Sequence, residues 1–154
     1  MKFVIQRVNE AEVMVEDRVT GRCGKGFLIF IGVCDTDTKE IADRMIRKTV
    51  NLRIFSDAQG KTNLSIRDVG GSILAVSQFT LYADIRKGNR PSFTKAGSPA
   101  HAEELYEYIL KELRETCQIP VEAGVFGAEM RVRLENSGPF TIIMESEELF
   151  PTGS

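Results

Sequence analysis

Four consecutive residues near the middle of the chain, three of them with polar side chains, could take part in catalysis. They are Ser77, Gln78, Phe79 and Thr80. They follow the apolar residues 73–76, which come after a glycine pair at 70–71. A short apolar run bounded by turn residues is typical of a strand buried on both sheet faces. The hydroxyl and amide groups therefore begin where burial should end, which predicts an active-site edge at the end of this strand.

A loop rich in cations follows these four residues. Residues 86–93 contain a glycine, a proline and three cationic side chains, those of Arg86, Lys87 and Arg90. Glycine and proline favour turns, and clustered cations attract anionic ligands. A reactive edge beside such a loop predicts a phosphorylated or nucleic-acid substrate. The alternative is that the three cations only keep a surface solvated.

The composition is that of an ordinary globular protein with one hydrophobic core. The 154 residues are 42% hydrophobic and 27% charged, with a net charge of −2. We expect a single domain over residues 1–154. Domains that bind nucleic acid over a broad surface are strongly basic, so a nucleic-acid contact here should be local. No segment approaches the ~20 apolar residues of a membrane span, and early charges argue against a signal peptide, so we expect a cytoplasmic protein without membrane contact.

Residue types that usually transfer protons or bind metals are sparse. Cys23, Cys34 and Cys117 are widely spaced, so we expect reduced structural thiols and neither a disulfide framework nor a zinc site. The only histidine, His101, falls in the first turn of a predicted helix, where we expect an exposed position without a catalytic role. No His, Asp and Glu cluster has metal-ligand spacing. We therefore expect no metal and no cofactor.

Thr80 offers the simplest covalent chemistry, as the nucleophile of an esterase for small molecules. A threonine hydroxyl is a weak nucleophile without an activating base, and no base lies near it in the sequence. Threonine is also common in strands for steric reasons. An ordinary strand residue therefore remains the alternative to a nucleophile.

The elements that must position these residues predict a β-rich α+β domain with two main helices packed on a sheet. Strands are expected at 2–8, 11–16, 27–33, 52–55 and 73–76, and a hairpin at 130–144 with its turn at 136–139. A capping box of Asp37 and Glu40 should begin the first helix, whose apolar spacing continues to Leu52. Ser98 should begin the second helix, which ends near Thr116.

Several segments, in this order, resemble those of D-aminoacyl-tRNA deacylases. The segments are residues 77–82, 86–93, 126–130 and 136–139. The resemblance runs from Val4 to about Ser146, and residues 4–8, 51–55 and 68–71 also contribute to it. Phe140 stands where a smaller β-branched residue is expected. Residues 147–154 pass the family's usual end, so we expect them to be a C-terminal extension.

The resemblance implies an enzyme that hydrolyses the ester joining a D-amino acid to the terminal adenosine of tRNA. Glycine would also be accepted, and L-amino acids would be rejected. Family behaviour further implies that the neighbouring 2′-hydroxyl of the tRNA assists the attacking water. The rival class is a module that binds an RNA end without cleaving it, for which a basic loop and an apolar pocket suffice.

The resemblance also assigns roles to individual residues. It implies a homodimer in which residues 77–80 of one subunit meet Gly138 and Pro139 of the other, joined by a cis bond and supported by Arg7. Main-chain N–H groups of Phe79 and Thr80 would stabilise the oxyanion, and Gln78 would bind polar substrate atoms. The remaining assignments are Phe79 and Met130 around the adenosine, and Arg86, Lys87 and Arg90 on tRNA phosphates. On sequence alone, Gly138 and Pro139 could equally form an ordinary hairpin turn.

Overall fold

The computed structural model describes residues 1–151 and confirms the predicted α+β fold. The strands are β1 (Lys2–Val15), β2 (Arg18–Cys23), β3 (Gly26–Gly32), β4 (Phe55–Ser56), β5 (Thr62–Leu64), β6 (Ser72–Ser77), β7 (Val121–Ala123) and β8 (Arg131–Glu145). The helices are α1 (Lys39–Asn51), α2 (Pro99–Glu115) and α3 (Ser146–Leu149), and a 3₁₀ turn spans Phe79–Tyr82. Within residues 1–151, no helix is long and apolar enough to cross a membrane.

The main sheet is mixed and has the strand order β2-β1-β3-β6-β7, with β8 also paired to β1. β1 is antiparallel to β2, β3 and β8, whereas β3 and β6 are parallel, as are β6 and β7. Alternate residues of β3 enter different cores: Phe27 packs with the helices on one face, and Leu28 packs with β1 and β6 on the other. β3 is therefore buried on both faces, which explains its continuous apolar sequence.

The first helix begins differently from the predicted capping box. Thr38 is the N-cap, and its side chain accepts a hydrogen bond from the Ile41 amide at 3.2 Å. Asp37 is instead buried, where it accepts bonds from the Met1 ammonium at 2.7 Å and the Cys34 amide at 2.8 Å. Asp37 therefore connects β1 to the segment after β3. The next residue, Thr38, caps the helix in its place.

Two strand predictions near the first helix also need correction. Residues 2–8 and 11–16 are one continuous strand, because β8 pairs with β1 along almost its whole length. Of the strand expected at 52–55, only Phe55 lies in a strand, β4. Leu52 still donates to the Thr49 carbonyl at the end of α1.

The predicted hairpin at 130–144 is wrong. Both halves of β8 pair with β1 and not with each other: Val8 lies opposite Asn136, and Gln6 lies opposite Thr141. One residue of β1 therefore faces the four residues 137–140, which leave the sheet as a bulge. We call residues 137–140 the Gly-Pro bulge. The bond between Gly138 and Pro139 is cis, as the resemblance implies.

The chain after β8 folds back onto the body of the molecule. The Met1 ammonium donates to the Ser146 hydroxyl at 2.8 Å, and the Arg44 guanidinium lies 4.2 Å from the centre of the Phe150 ring. That residues 147–154 are an extension stays a prediction, and residues 152–154 lie outside the described chain.

Candidate active site

A cavity of about 560 Å³ opens where β6 ends. Ser77, Gln78 and Phe79 line one side of it, and Phe126, Gly127, Ala128 and Met130 line another. Apolar side chains of β3, β8 and the start of α2 complete the wall. Its size is typical of a small-molecule pocket, and the polar groups are concentrated on the side formed by the end of β6.

Two unpaired main-chain donors lie in the turn that begins at this cavity, and the first of them, Phe79, lines it. Phe79 and Thr80 open the 3₁₀ turn, where residues have no preceding helical carbonyl to bond. Within residues 1–151, neither amide has a hydrogen-bond acceptor, whereas the Gln78 amide donates to the Ile31 carbonyl at 2.8 Å. Thr80 therefore lies in a tight turn and not on the strand that its residue type suggested.

Close packing holds the 3₁₀ turn on β3. A Cβ on Gly32 would lie 3.0 Å from the Leu81 Cβ and 3.4 Å from the Gln78 carbonyl oxygen. Only a residue without a side chain therefore lets the turn approach so closely. Lys2 adds a second support, since its Nζ donates to the Leu81 carbonyl at 3.3 Å and lies 4.8 Å from the centre of the Tyr82 ring.

The hydroxyl of Thr80 is engaged by a donor and not by a base. The side-chain Nε2 of Gln78 donates to Thr80 Oγ1 at 2.6 Å. Among the described residues, those lining the cavity include no histidine, acid, lysine or arginine. His101 is half-buried, contrary to the exposed position expected, and its Nε2 lies 2.9 Å from the Asp37 carbonyl oxygen. Nothing in the cavity wall can remove a proton from Thr80.

Apolar side chains form the rest of the cavity. Met130 and Phe126 line it together, and Gly124 makes room for Met130, because a Cβ on that glycine would lie 2.5 Å from the Met130 sulfur. Phe79 and Phe93 meet edge to face at its mouth, with ring centroids 5.0 Å apart. The wall can therefore accept a flat apolar group beside the polar edge.

Arg7 anchors the Gly-Pro bulge to the residue before β4. Its Nε donates to the Ser137 carbonyl at 3.1 Å, and its Nη1 donates to the Ile54 carbonyl at 2.6 Å. The guanidinium also lies 4.5 Å from the centre of the Phe140 ring. Gly138 has a φ of +127°, and a Cβ there would lie 2.9 Å from Arg7 Nη2. Both facts favour glycine at this position.

Asn136 closes the base of the same bulge. Its Oδ1 accepts from the Phe140 amide at 2.9 Å, and its Nδ2 donates to Thr141 Oγ1 at 3.1 Å. Gly138 and Pro139 are exposed and do not line the cavity of their own subunit. Arg7 therefore belongs with the bulge, and the structure does not bring the bulge together with residues 77–80 inside one chain.

The basic loop is closed by main-chain bonds and by one ion pair. Asp84 and Ser92 exchange two backbone hydrogen bonds, of 2.7 and 2.9 Å. Arg86 makes a bidentate contact with the Asp84 carboxylate, at 2.9 and 2.7 Å, and this contact holds the pKa of that carboxyl well below its usual range. Within residues 1–151, no carboxylate lies within 4.0 Å of the Lys87 or Arg90 charge. Arg86 is thus the one of these three cations that forms an ion pair among the described residues.

Sequence reasoning missed several residues that shape this site. Lys2, Gly32 and Asn136 position the turn and the bulge, and Phe93 and Phe126 line the cavity. The Phe126 and Asn136 segments did stand out in the sequence, but neither residue was given a role. The described residues contain no group of three or more His, Cys, Asp or Glu side chains arranged to hold a metal ion.

Comparison with known proteins identifies the family. Residues 4–145 match the family model described as D-Tyr-tRNA(Tyr) deacylase. The chain belongs to this family. A D-aminoacyl-tRNA deacylase of Thermosipho melanesiensis is 48% identical over 150 residues, which cover 97% of this chain and 100% of that protein. The predicted family and enzyme class, a hydrolase of ester bonds, are therefore confirmed.

Two solved structures agree with the fold. A c-Myc DNA unwinding element binding protein superposes with a TM-score of 0.88 at 40% identity, covering 94% of this chain and 98% of that one. A probable eukaryotic D-amino acid tRNA deacylase superposes with a TM-score of 0.76 at 18% identity, covering 93% of this chain and 97% of that one. At that identity, the second likeness concerns the fold alone.

Proposed function

We propose that the protein hydrolyses the ester between a D-amino acid, or glycine, and the 3′-terminal adenosine of tRNA. Family membership supports the reaction and tRNA as the substrate. The observation that carries the mechanism is the pair of unpaired amides at Phe79 and the next residue, Thr80, because Phe79 lines a cavity whose described lining residues include no ionisable side chain. The chemistry therefore rests on position and main-chain electrostatics.

The two amides stabilise the transition state. Water attacks the ester carbonyl, and the negative charge that develops on its oxygen is met by the N–H groups of Phe79 and Thr80. One such donor contributes on the order of 10²–10³ in rate in other hydrolases. The 2′-hydroxyl next to the ester assists the water, which supplies the proton transfer that the cavity wall cannot. Gln78 contacts polar substrate atoms, and Phe79 and Met130 enclose the adenosine.

Selection against L-amino acids comes from the Gly-Pro bulge of a second subunit. Gly138 and Pro139 are exposed and do not line the cavity of their own subunit, and Arg7 and Asn136 anchor the bulge, which supports a role toward another molecule. Gly138 has no side chain, so main-chain atoms meet the substrate. An L side chain collides with them, a D side chain points away, and glycine offers nothing to exclude.

The surface around β8 supports a homodimer. β8 pairs only with β1 among the described strands, and Ile143 on it is 67% exposed. A strand edge with exposed apolar side chains is suited to association. Lys87 and Arg90 hold tRNA phosphates, whereas Arg86 shapes the loop by binding Asp84. A cytoplasmic location stays a prediction from the sequence.

One deacylation assay tests this proposal against its rivals. The protein is mixed with tRNA charged with a labelled D-amino acid, its L enantiomer or glycine, and release of label is followed. We expect release from the D and glycyl substrates only. A binding module releases nothing, and a Thr80-dependent esterase cleaves a small D-amino-acid ester as fast as the tRNA ester; either result rejects the proposal.

Mixed dimers test whether two subunits share one site. Gly32→Val impairs the turn of one subunit, and Gly138→Ala distorts the bulge of the other. A mixed dimer then contains one site with a native turn and a native bulge, so selective activity returns to about half of wild type. If the mixture shows only the averaged activities of the two parents, each site lies within one chain.

A further inference from the structure

We propose that Phe93, with Lys87 and Arg90, forms a subsite for the nucleotide that precedes the terminal adenosine of the tRNA. The inference rests on the proposed function, because it assumes that the adenosine lies between Phe79 and Met130. It adds a second nucleotide to that site and assigns Phe93 to its base. None of the adenosine contacts requires this residue.

The first support is an exposed aromatic pair. Phe79 is 56% exposed and Phe93 is 37% exposed, and both line the mouth of the cavity. Large apolar side chains rarely stay exposed together without a ligand, and unpaired bases stack on such rings. The ring planes meet at 70°, so one continuous stack cannot use both faces. Two bases, one on each ring, fit this geometry.

The second support is the charge of the loop that precedes Phe93 in the chain. The loop closes at the Asp84–Ser92 pair, so Phe93 is the first residue after the closure. Inside the loop, Lys87 and Arg90 are exposed and have no carboxylate within 4.0 Å among residues 1–151. Arg86 is already bound to Asp84. Two exposed cations in the loop that ends next to an aromatic residue suit the phosphate and the base of one nucleotide.

These charges also decide between possible occupants. An apolar segment of a protein would leave both cations without a partner. A phosphodiester neutralises them, and the base covers the ring. The occupant is therefore the single-stranded RNA end of the substrate, in which the penultimate nucleotide follows directly from the adenosine.

Two stable probes measure how much affinity the second nucleotide adds, and we call this gain in affinity the increment. The first is adenosine carrying D-alanine through a 3′-amide bond, and the second is the dinucleotide CpA with the same amide. We expect the wild-type protein to bind the CpA probe about tenfold more tightly, the effect of one base stacked on an aromatic ring. Phe93→Ala should weaken the CpA probe about tenfold and the adenosine probe less than threefold.

Matched variants separate stacking from charge and from packing. Phe93→Tyr should keep the increment, and Ile85→Ala, which removes another exposed apolar side chain near the loop, should not change it. Replacing both Lys87 and Arg90 by alanine should reduce the increment most at low salt, because phosphate contacts are screened.

Three results would overturn the subsite. They are an equal affinity of wild type for both probes, an equal loss of both probes in Phe93→Ala, and a shift of that variant between dimer and monomer, which would mean that protein covers Phe93. Binding of the adenosine probe without an increment rejects the subsite alone. Failure to bind either probe, together with no release from D-aminoacyl-tRNA, rejects the proposed function.

Discussion

The 3₁₀ turn and the Gly-Pro bulge are both departures from regular strands, but different forces hold them. The turn is held by main-chain bonds and by contact with Gly32 on β3. The bulge is held mainly by the side chains of Arg7 and Asn136. Deleting one anchoring side chain should therefore loosen the bulge, whereas the turn, which Lys2 also supports, should move most when the surface beneath it changes. Rate and stereochemical selection should then separate by mutation.

The largest expected effect comes from Gly32→Val. The new side chain would overlap Leu81 and push Phe79 and Thr80 away from the substrate. Because misplacement by about 1 Å can cost about 10²-fold in rate, we expect kcat/KM for D-aminoacyl-tRNA to fall at least about 100-fold. Gly24→Val is the control, since a Cβ there meets nothing within 4 Å. Circular dichroism and thermal unfolding check that both variants fold.

Arg7→Ala should act on selection more than on rate. It leaves the Ser137 and Ile54 carbonyls without their charged donor, and hydrogen bonds of this kind contribute about 1.5–3 kcal/mol. We expect the D over L preference in deacylation to fall at least about tenfold, while hydrolysis of the D substrate changes less than threefold. Arg133→Ala, which removes an exposed arginine of β8, is the control. An unchanged preference would show that Arg7 does not hold the bulge.

Asn136→Ala should also lower the D over L preference, but by less than Arg7→Ala. It removes one neutral hydrogen bond to the Phe140 amide and one to Thr141, each contributing about 0.5–1.5 kcal/mol. We expect the D over L preference to fall about threefold in the same assay. A loss larger than that of Arg7→Ala would reverse the order of the two anchors.

Thr80→Ala should have the smallest effect. The hydroxyl accepts a bond from Gln78, and the amide of residue 80 remains in the variant. We expect single-turnover deacylation within about threefold of wild type. A drop of several orders of magnitude with the fold intact would restore the nucleophile hypothesis.

The contrast between turn and bulge also marks what the sequence could predict. The apolar run before Ser77 predicted a buried strand and a polar edge, because burial and strand length leave a local pattern. The core helices were predictable for the same reason. The bulge was not: Ser137, Gly138 and Pro139 have ordinary turn chemistry, and only pairing of both flanks with β1 distinguishes a bulge from a hairpin.

Long-range contacts account for the other differences. Asp37 precedes a helix and resembles a cap, yet its carboxylate accepts a hydrogen bond from the Met1 ammonium, 36 residues away. The contact of Lys2 with Leu81 joins positions 79 residues apart, and no local pattern announces it. The resemblance to a family supplied the roles of Arg7 and the bulge, which the residue types alone left open.

Pairing with β1 on both sides of the Gly-Pro bulge makes that segment modular. Residues 131–136 and 141–145 keep their places on β1 whatever the four residues between them do. The segment can therefore be exchanged, lengthened or reoriented without rebuilding the sheet. Directed evolution confined to residues 137–140 should yield variants with new stereochemical preferences on an unchanged scaffold.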